Sequence, residues 1–176
     1  MKKFILAAMI AVSSLNANAQ VWMGGSLGLN FTKPDGGKTI TTFSIAPEIG
    51  YSLNDKWDIA LSINEQIVSW DGTTANSFSI APYARFTFAK SGIASFFVDG
   101  GFGVGTSNYA NGYKLDDSQT SWFVGVRPGI KVALSNKVSL VSHLGWLGYE
   151  KVQDSYSNFG FGVDNTAIDF GMYWNF

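Results

Sequence analysis

The chain has no cysteine among its 176 residues. No disulfide can hold the fold, and a lipid anchor carried on cysteine is not expected. Charge is scarce too. Asp, Glu, Lys and Arg make up 14% of the residues, against the ~25% usual in soluble domains. The formal net charge is -1, without the basic footprint of a nucleic-acid binder. There is 1 histidine and there are 4 prolines. No segment offers the ~20 apolar residues that a membrane-spanning helix needs. A chain this poor in charge lacks the surface of an ordinary soluble domain. What it has in quantity is glycine, at 20 residues, and aromatic side chains, at 15%.

The opening residues read as an export signal. "MKK" is basic, "FILAAMIAV" is a short apolar core, and "ANA" ends at Ala19 before Gln20. That is the pattern of a cleaved signal peptide. Residues 1–19 are therefore expected to be removed, leaving a single domain over 20–176.

Beyond Gln20 the dominant period is two. In the terminal "AIDFGMYWNF", Ile168, Phe170, Met172, Trp174 and Phe176 share one face. Ala167, Asp169, Gly171, Tyr173 and Asn175 share the other. Similar runs start at Val21, Thr42, Trp57, Phe78, Ser95, Ser121 and Val138, which makes eight in all. Short links at Asn54–Lys56, Ala89–Ile93 and Ser135–Lys137 alternate with longer polar ones at Thr32–Ile40, Ser69–Ser77, Thr106–Gln119 and Leu147–Asp164. Only helices and closed barrels satisfy their backbone in lipid. An even strand count with turns at one end and loops at the other predicts an all-β fold, an eight-stranded antiparallel transmembrane β-barrel in an up-and-down meander.

One face of each run is nearly continuous Leu, Ile, Val, Phe and Trp. The other is Gly, Ser and Ala with few charges, too bland for a soluble exterior. The apolar face is therefore assigned to lipid. Tyr51, Trp57, Phe86, Phe88, Phe96, Trp174 and Phe176 then form an aromatic belt near the short turns. Phe31, Phe43, Phe78, Trp122 and Trp146 form a second near the loops. "FSIAPEIGYSL", "FSIAPYARFTF" and "VGVRPGIKVAL" repeat one plan and set Pro47, Pro82 and Pro128 at one level. A strand proline removes a ladder hydrogen bond. Either a shared distortion or a tolerated missing N–H fits.

With these features the chain resembles the outer-membrane barrel family of the OmpA transmembrane domain and OmpX, over Gln20 to Phe176. The resemblance implies a porin-family outer-membrane protein with both termini periplasmic, in contact with lipid and lipopolysaccharide. It also implies that Phe170, Met172, Trp174 and Phe176 form the signal read by the barrel-insertion machinery.

An eight-stranded interior is just wide enough for side chains to fill it. The inward polar set is Glu48, Arg85, Asp99, Arg127, Lys131, His143 and Asp169, with Tyr83, Phe97 and Phe123 beside it. Counting from the short turns puts Glu48 and Asp99 at similar depth, Arg127 and Asp169 deeper, and Arg85 and Lys131 nearer the turns. Opposite charges should pair, because unpaired buried charge is costly. Gly101, Gly103 and Gly105 leave room for the rings. A plug of ion pairs is the preferred reading. A small pore for ions or solutes is the alternative. A lipid A-modifying enzyme is the weaker third, since Ser142 and His143 are adjacent and point to opposite faces. "GGFGVG" lies within a strand and no helix follows to cradle a phosphate. No cofactor or metal is called for. Tyr109, Tyr113, Tyr149 and Tyr156 in the longer links are candidates for contact with an extracellular partner. The alternative is that such aromatics extend the hairpins or sit at the membrane interface.

Overall fold

The computed structural model describes residues 21–111, 114–115, 118–153, 156–162 and 169–176. The signal segment, Tyr113 and the region 163–168 lie outside the described residues. The strands are β1 (Val21–Thr32), β2 (Ile40–Ser52), β3 (Trp57–Trp70), β4 (Thr73–Ser91), β5 (Ala94–Asn111) and the short β6 (Lys114–Leu115). They continue as β7 (Gln119–Ala133), β8 (Val138–His143), β9 (Trp146–Val152), β10 (Tyr156–Gly162) and β11 (Asp169–Asn175). All pairings are antiparallel, and β1 pairs with both β2 and β11, so the sheet closes. β8 and β9 both pair with β7 and make one stave. β10 and β11 pair with β9 and β8 and make the last. The β6 ribbon only extends the end of β5. Around the wall this is an eight-strand barrel, as the periodicity predicts.

The two faces are inverted relative to a soluble protein. Leu27 is 70% exposed and Phe170 63%, whereas Arg85 is 1% and Ser62 2% exposed. Large apolar side chains facing out and charges facing in make sense only against lipid. Exposed Trp57, Phe88, Trp174 and Phe176 ring the turn end, and Phe31, Phe43, Phe78 and Trp122 ring the loop end.

Several links expected to be loops are strand. The β3–β4 hairpin turns through Asp71 and Gly72 alone, with φ of 47° and 75°. Such paired positive φ values define the tight hairpin turn that Asp-Gly favours. β4 runs to 19 residues. At ~3.3 Å per residue and ~40° tilt it extends about 48 Å along the axis, well past an apolar band of ~25 Å. The strands therefore continue beyond the membrane on the loop side. There both faces turn polar, and the alternation that marks a strand disappears from the sequence.

The prolines have a common effect. Opposite Pro47 the β2–β3 pairing skips residues 46–47, and opposite Pro82 the β4–β5 pairing skips 81–82, with register kept on either side. Beside Pro128 the break is larger. Between Gly129↔His143 and Val126↔Leu147, three residues of the β8–β9 stave face two of β7. This is a bulge, and it reverses side-chain alternation. Trp146 therefore turns into the lumen, its ring tip against Gly160, and does not belong to the outer belt. A second irregularity, between Thr87 and Ala89, leaves Phe88 unpaired.

Candidate functional site: the side-chain layer across the lumen

The register places charges directly opposite one another. Asp58 faces Arg85, Arg85 faces Asp99, and Asp99 faces Arg127 across β3, β4, β5 and β7. Counting from the turns put Arg85 and Arg127 at other depths. For Arg85 the bulge at Phe88 accounts for the error, because without it Arg85 would face Gly100. Arg85 Nε and Nη2 donate to the two Asp99 oxygens at 2.7 and 2.8 Å. His143 Nε2 lies 2.9 Å from Asp99 Oδ2, and the nearest guanidinium nitrogen of Arg127 is 4.0 Å away. One carboxylate thus serves two arginines and a histidine.

Aromatic rings pack around this charge cluster. The Arg85 guanidinium lies 3.8 Å from the Phe97 ring centroid and within 6 Å of Trp22, Tyr83 and Tyr173. Cation–π attraction favours that cage once water is excluded. Trp22 stacks on Tyr173 at 4.4 Å, and Phe97 meets the His143 ring edge-on at 5.6 Å. Glu48 accepts hydrogen bonds from the hydroxyls of Tyr83 at 2.6 Å and Tyr173 at 2.5 Å. Tyr173 also links back to Arg85 at 3.3 Å, joining both halves of the network.

These rings fit because glycine lies beneath them. A Cβ on Gly129 would come 2.4 Å from Phe97, and one on Gly50 would come 2.1 Å from Trp22. Gly103 makes the same space for Phe123, as expected from the fifth strand, whereas Gly101 lies against the Pro82 carbonyl and the Tyr83 Cβ. Gly105 instead lies against Ser79 and the Phe78 carbonyl.

The layer joins four of the anticipated polar residues, Glu48, Arg85, Asp99 and His143, and holds each at 8% exposure or less. Arg127 borders it from the loop side. Lys131 stands toward the turns, opposite Ser95 and Val141, and makes no ion pair with a described carboxylate. The backbone of Asp169 is level with His143 rather than with Arg127. Asp58, Trp22 and Tyr173 were not singled out from sequence, although period two already turned each inward.

Three of the four tyrosines taken for loop contacts are described, and these lie in strands: Tyr109 in β5, Tyr149 in β9 and Tyr156 at the start of β10. Tyr149 packs on Trp122 at 5.3 Å on the outer face and extends the loop-end belt. Phe170, Met172 and Trp174 face outward on β11, and Phe176 follows them, its N–H donating to the Val21 carbonyl.

A closed barrel with a lipid-facing apolar band meets its relatives at this point. The outer membrane protein beta-barrel domain family matches residues 4–176. The chain belongs to that family. It is an integral outer-membrane barrel. No curated protein sequence matches it. Among solved structures it is similar to the N-terminal β-barrel domain of Pseudomonas aeruginosa OprF, at 17% identity and a TM-score of 0.57, over 89% of this chain and 97% of that one. Neisserial surface protein A gives 16% identity and 0.55, covering 90% and 96%. Ail, the attachment invasion locus protein of Yersinia pestis, gives 16% and 0.53, covering 90% and 98%. At these identities the likeness is one of fold.

Proposed function

We propose that this barrel is a structural and surface-interaction protein of the outer membrane whose lumen is closed by its own side chains. The observation that carries the reading is the Arg85–Asp99–Phe97 layer, in which each residue is 2% exposed or less. A solute crossing the barrel would have to break a bidentate buried ion pair and displace the rings caged around it. That is a costly route, since separating such a pair leaves uncompensated charge. The non-catalytic role follows the same logic. His143 and Asp99 are committed to the layer rather than presented to a substrate. One similar fold is named as an attachment protein, which agrees with a role for the part of the barrel beyond the membrane. Residues 1–19 act as the cleaved export signal, Phe170, Met172, Trp174 and Phe176 as the insertion signal, and both termini face the periplasm. Lipopolysaccharide surrounds the loop-end belt, and an extracellular partner would meet the hairpin ends.

The test is swelling of liposomes that contain the refolded protein. No swelling in small sugars is expected. Swelling at a rate proportional to protein content would replace this reading with the small pore.

A further inference from the structure

On the loop side of the layer lies a cavity of about 290 Å³, near the lower end of the ~300–1,000 Å³ range of small-molecule sites. Its inner surface is one-sided. Gly101, Gly125 and Gly148 face each other in register across β5, β7 and β9. A Cβ on Gly125 would come 2.8 Å from the Leu147 carbonyl oxygen, and one on Gly148 would come 2.6 Å from that of Val124. Only glycine lets these strands approach so closely, and these three positions carry no side chain into the cavity. Phe123 and Trp146 flank the cavity, and Tyr83, Asp99 and Arg127 form its floor.

Arg127 is the one cation lining this cavity, Asp99 and Glu150 are its two carboxylates, and Glu150 makes no ion pair with Arg127 among the described residues. The contacts of Arg127 are weak. Asp99 is 4.0 Å away, beyond hydrogen-bonding distance, and the Tyr83 ring centroid is 5.8 Å away. Asp99 has little left to give, because its two oxygens already take three contacts of 2.7–2.9 Å from Arg85 and His143. The Arg127 side chain is 36% exposed, so it is accessible from the lumen. A guanidinium with open donors, beside a glycine patch flanked by two rings, suits a planar anion. The carboxylate would take the guanidinium edge and the apolar body would lie along the glycines.

We propose that this cavity is a binding site for small organic carboxylates with a flat apolar body, anchored by Arg127. The site is not a passage, since its floor is the closed layer.

The experiment uses the full mature barrel in lipid nanodiscs, probed with 4-fluorobenzoate and its neutral counterpart 4-fluorobenzamide by fluorine NMR line broadening. The carboxylate should bind at least about tenfold more tightly than the amide, the scale of one charge-assisted interaction. Arg127→Gln should abolish that preference. Asn64→Trp, which fills the cavity from the opposite wall without altering charge, should exclude both probes. A heat-dependent gel shift confirms folding of each variant, and the acid-to-amide ratio together with Asn64→Trp decides the matter even if Arg127→Gln does not fold. Equal binding of acid and amide would overturn the proposal. So would unchanged carboxylate binding in folded Arg127→Gln or Asn64→Trp, or no binding by folded wild type at millimolar probe.

Discussion

Replacing Arg85 by methionine isolates what the buried ion pair does for this barrel. In the native lumen Arg85 and Asp99 are 1% and 2% exposed and share two hydrogen bonds of 2.7 and 2.8 Å. Removing one member of such a pair costs ~3–5 kcal/mol, mostly because the other charge stays buried. Asp99 would keep His143 at 2.9 Å, and Arg127 needs to move only from 4.0 Å to hydrogen-bonding distance. That rescue places Arg85→Met near ~3 kcal/mol, the lower end of the range. The double variant Arg85→Met/Asp99→Leu removes both charges and leaves apolar volume in their place. It should lie closer to wild type than the single variant does, because no uncompensated carboxylate remains. Equilibrium urea unfolding in lipid vesicles, read by tryptophan fluorescence, measures both. A single variant that loses less than ~1 kcal/mol, or a double variant that loses the sum of the two singles, would refute the reasoning.

Other perturbations test separate parts of the account. Gly129→Ala places a methyl group 2.4 Å from the Phe97 ring, and overpacking of that kind should cost ~1–3 kcal/mol in the same unfolding assay. Tyr173→Phe removes the donor to Glu48 and the contact with Arg85, so a loss of ~1–3 kcal/mol is expected, as for a buried hydrogen bond to a charged group. Gly72→Ala puts a side chain at a φ of 75° and should destabilise the β3–β4 hairpin end by ~1 kcal/mol or more, seen as faster amide exchange there. Phe176→Ala should leave refolding into detergent intact while lowering the amount assembled in the outer membrane of cells, measured by the heat-dependent gel shift. Equal assembly would remove Phe176 from the insertion signal.

Strand alternation made the barrel legible because lipid imposes it: each residue of the band must be apolar outside and small or polar inside. The same rule failed where the strands leave the membrane. Thr73–Ser77 and residues 147–152 read as loop because polar side chains are tolerated on both faces there. The Asp71–Gly72 pair was the available turn signal. Trp146 was misassigned because a bulge is a change of parity, and nothing in "SHLGWLGY" except Gly145 hints at one. The charges of the lumen could be named from sequence but not paired. Pairing depends on register, and the single extra residue at Phe88 decides that Arg85 meets Asp99. The aromatic cage followed from period two as a set of inward rings. Which ring lies on which glycine is a cross-strand relation that one strand's sequence does not contain.

Single-channel recording of the refolded wild-type barrel in planar bilayers tests the central claim most directly, with Phe97→Ala/Tyr173→Ala recorded beside it. The account predicts a silent wild type and discrete current steps once the two rings that complete the layer are cut away. Steady steps from folded wild type would contradict it, and would show that ions pass between Arg85 and Asp99 as they stand.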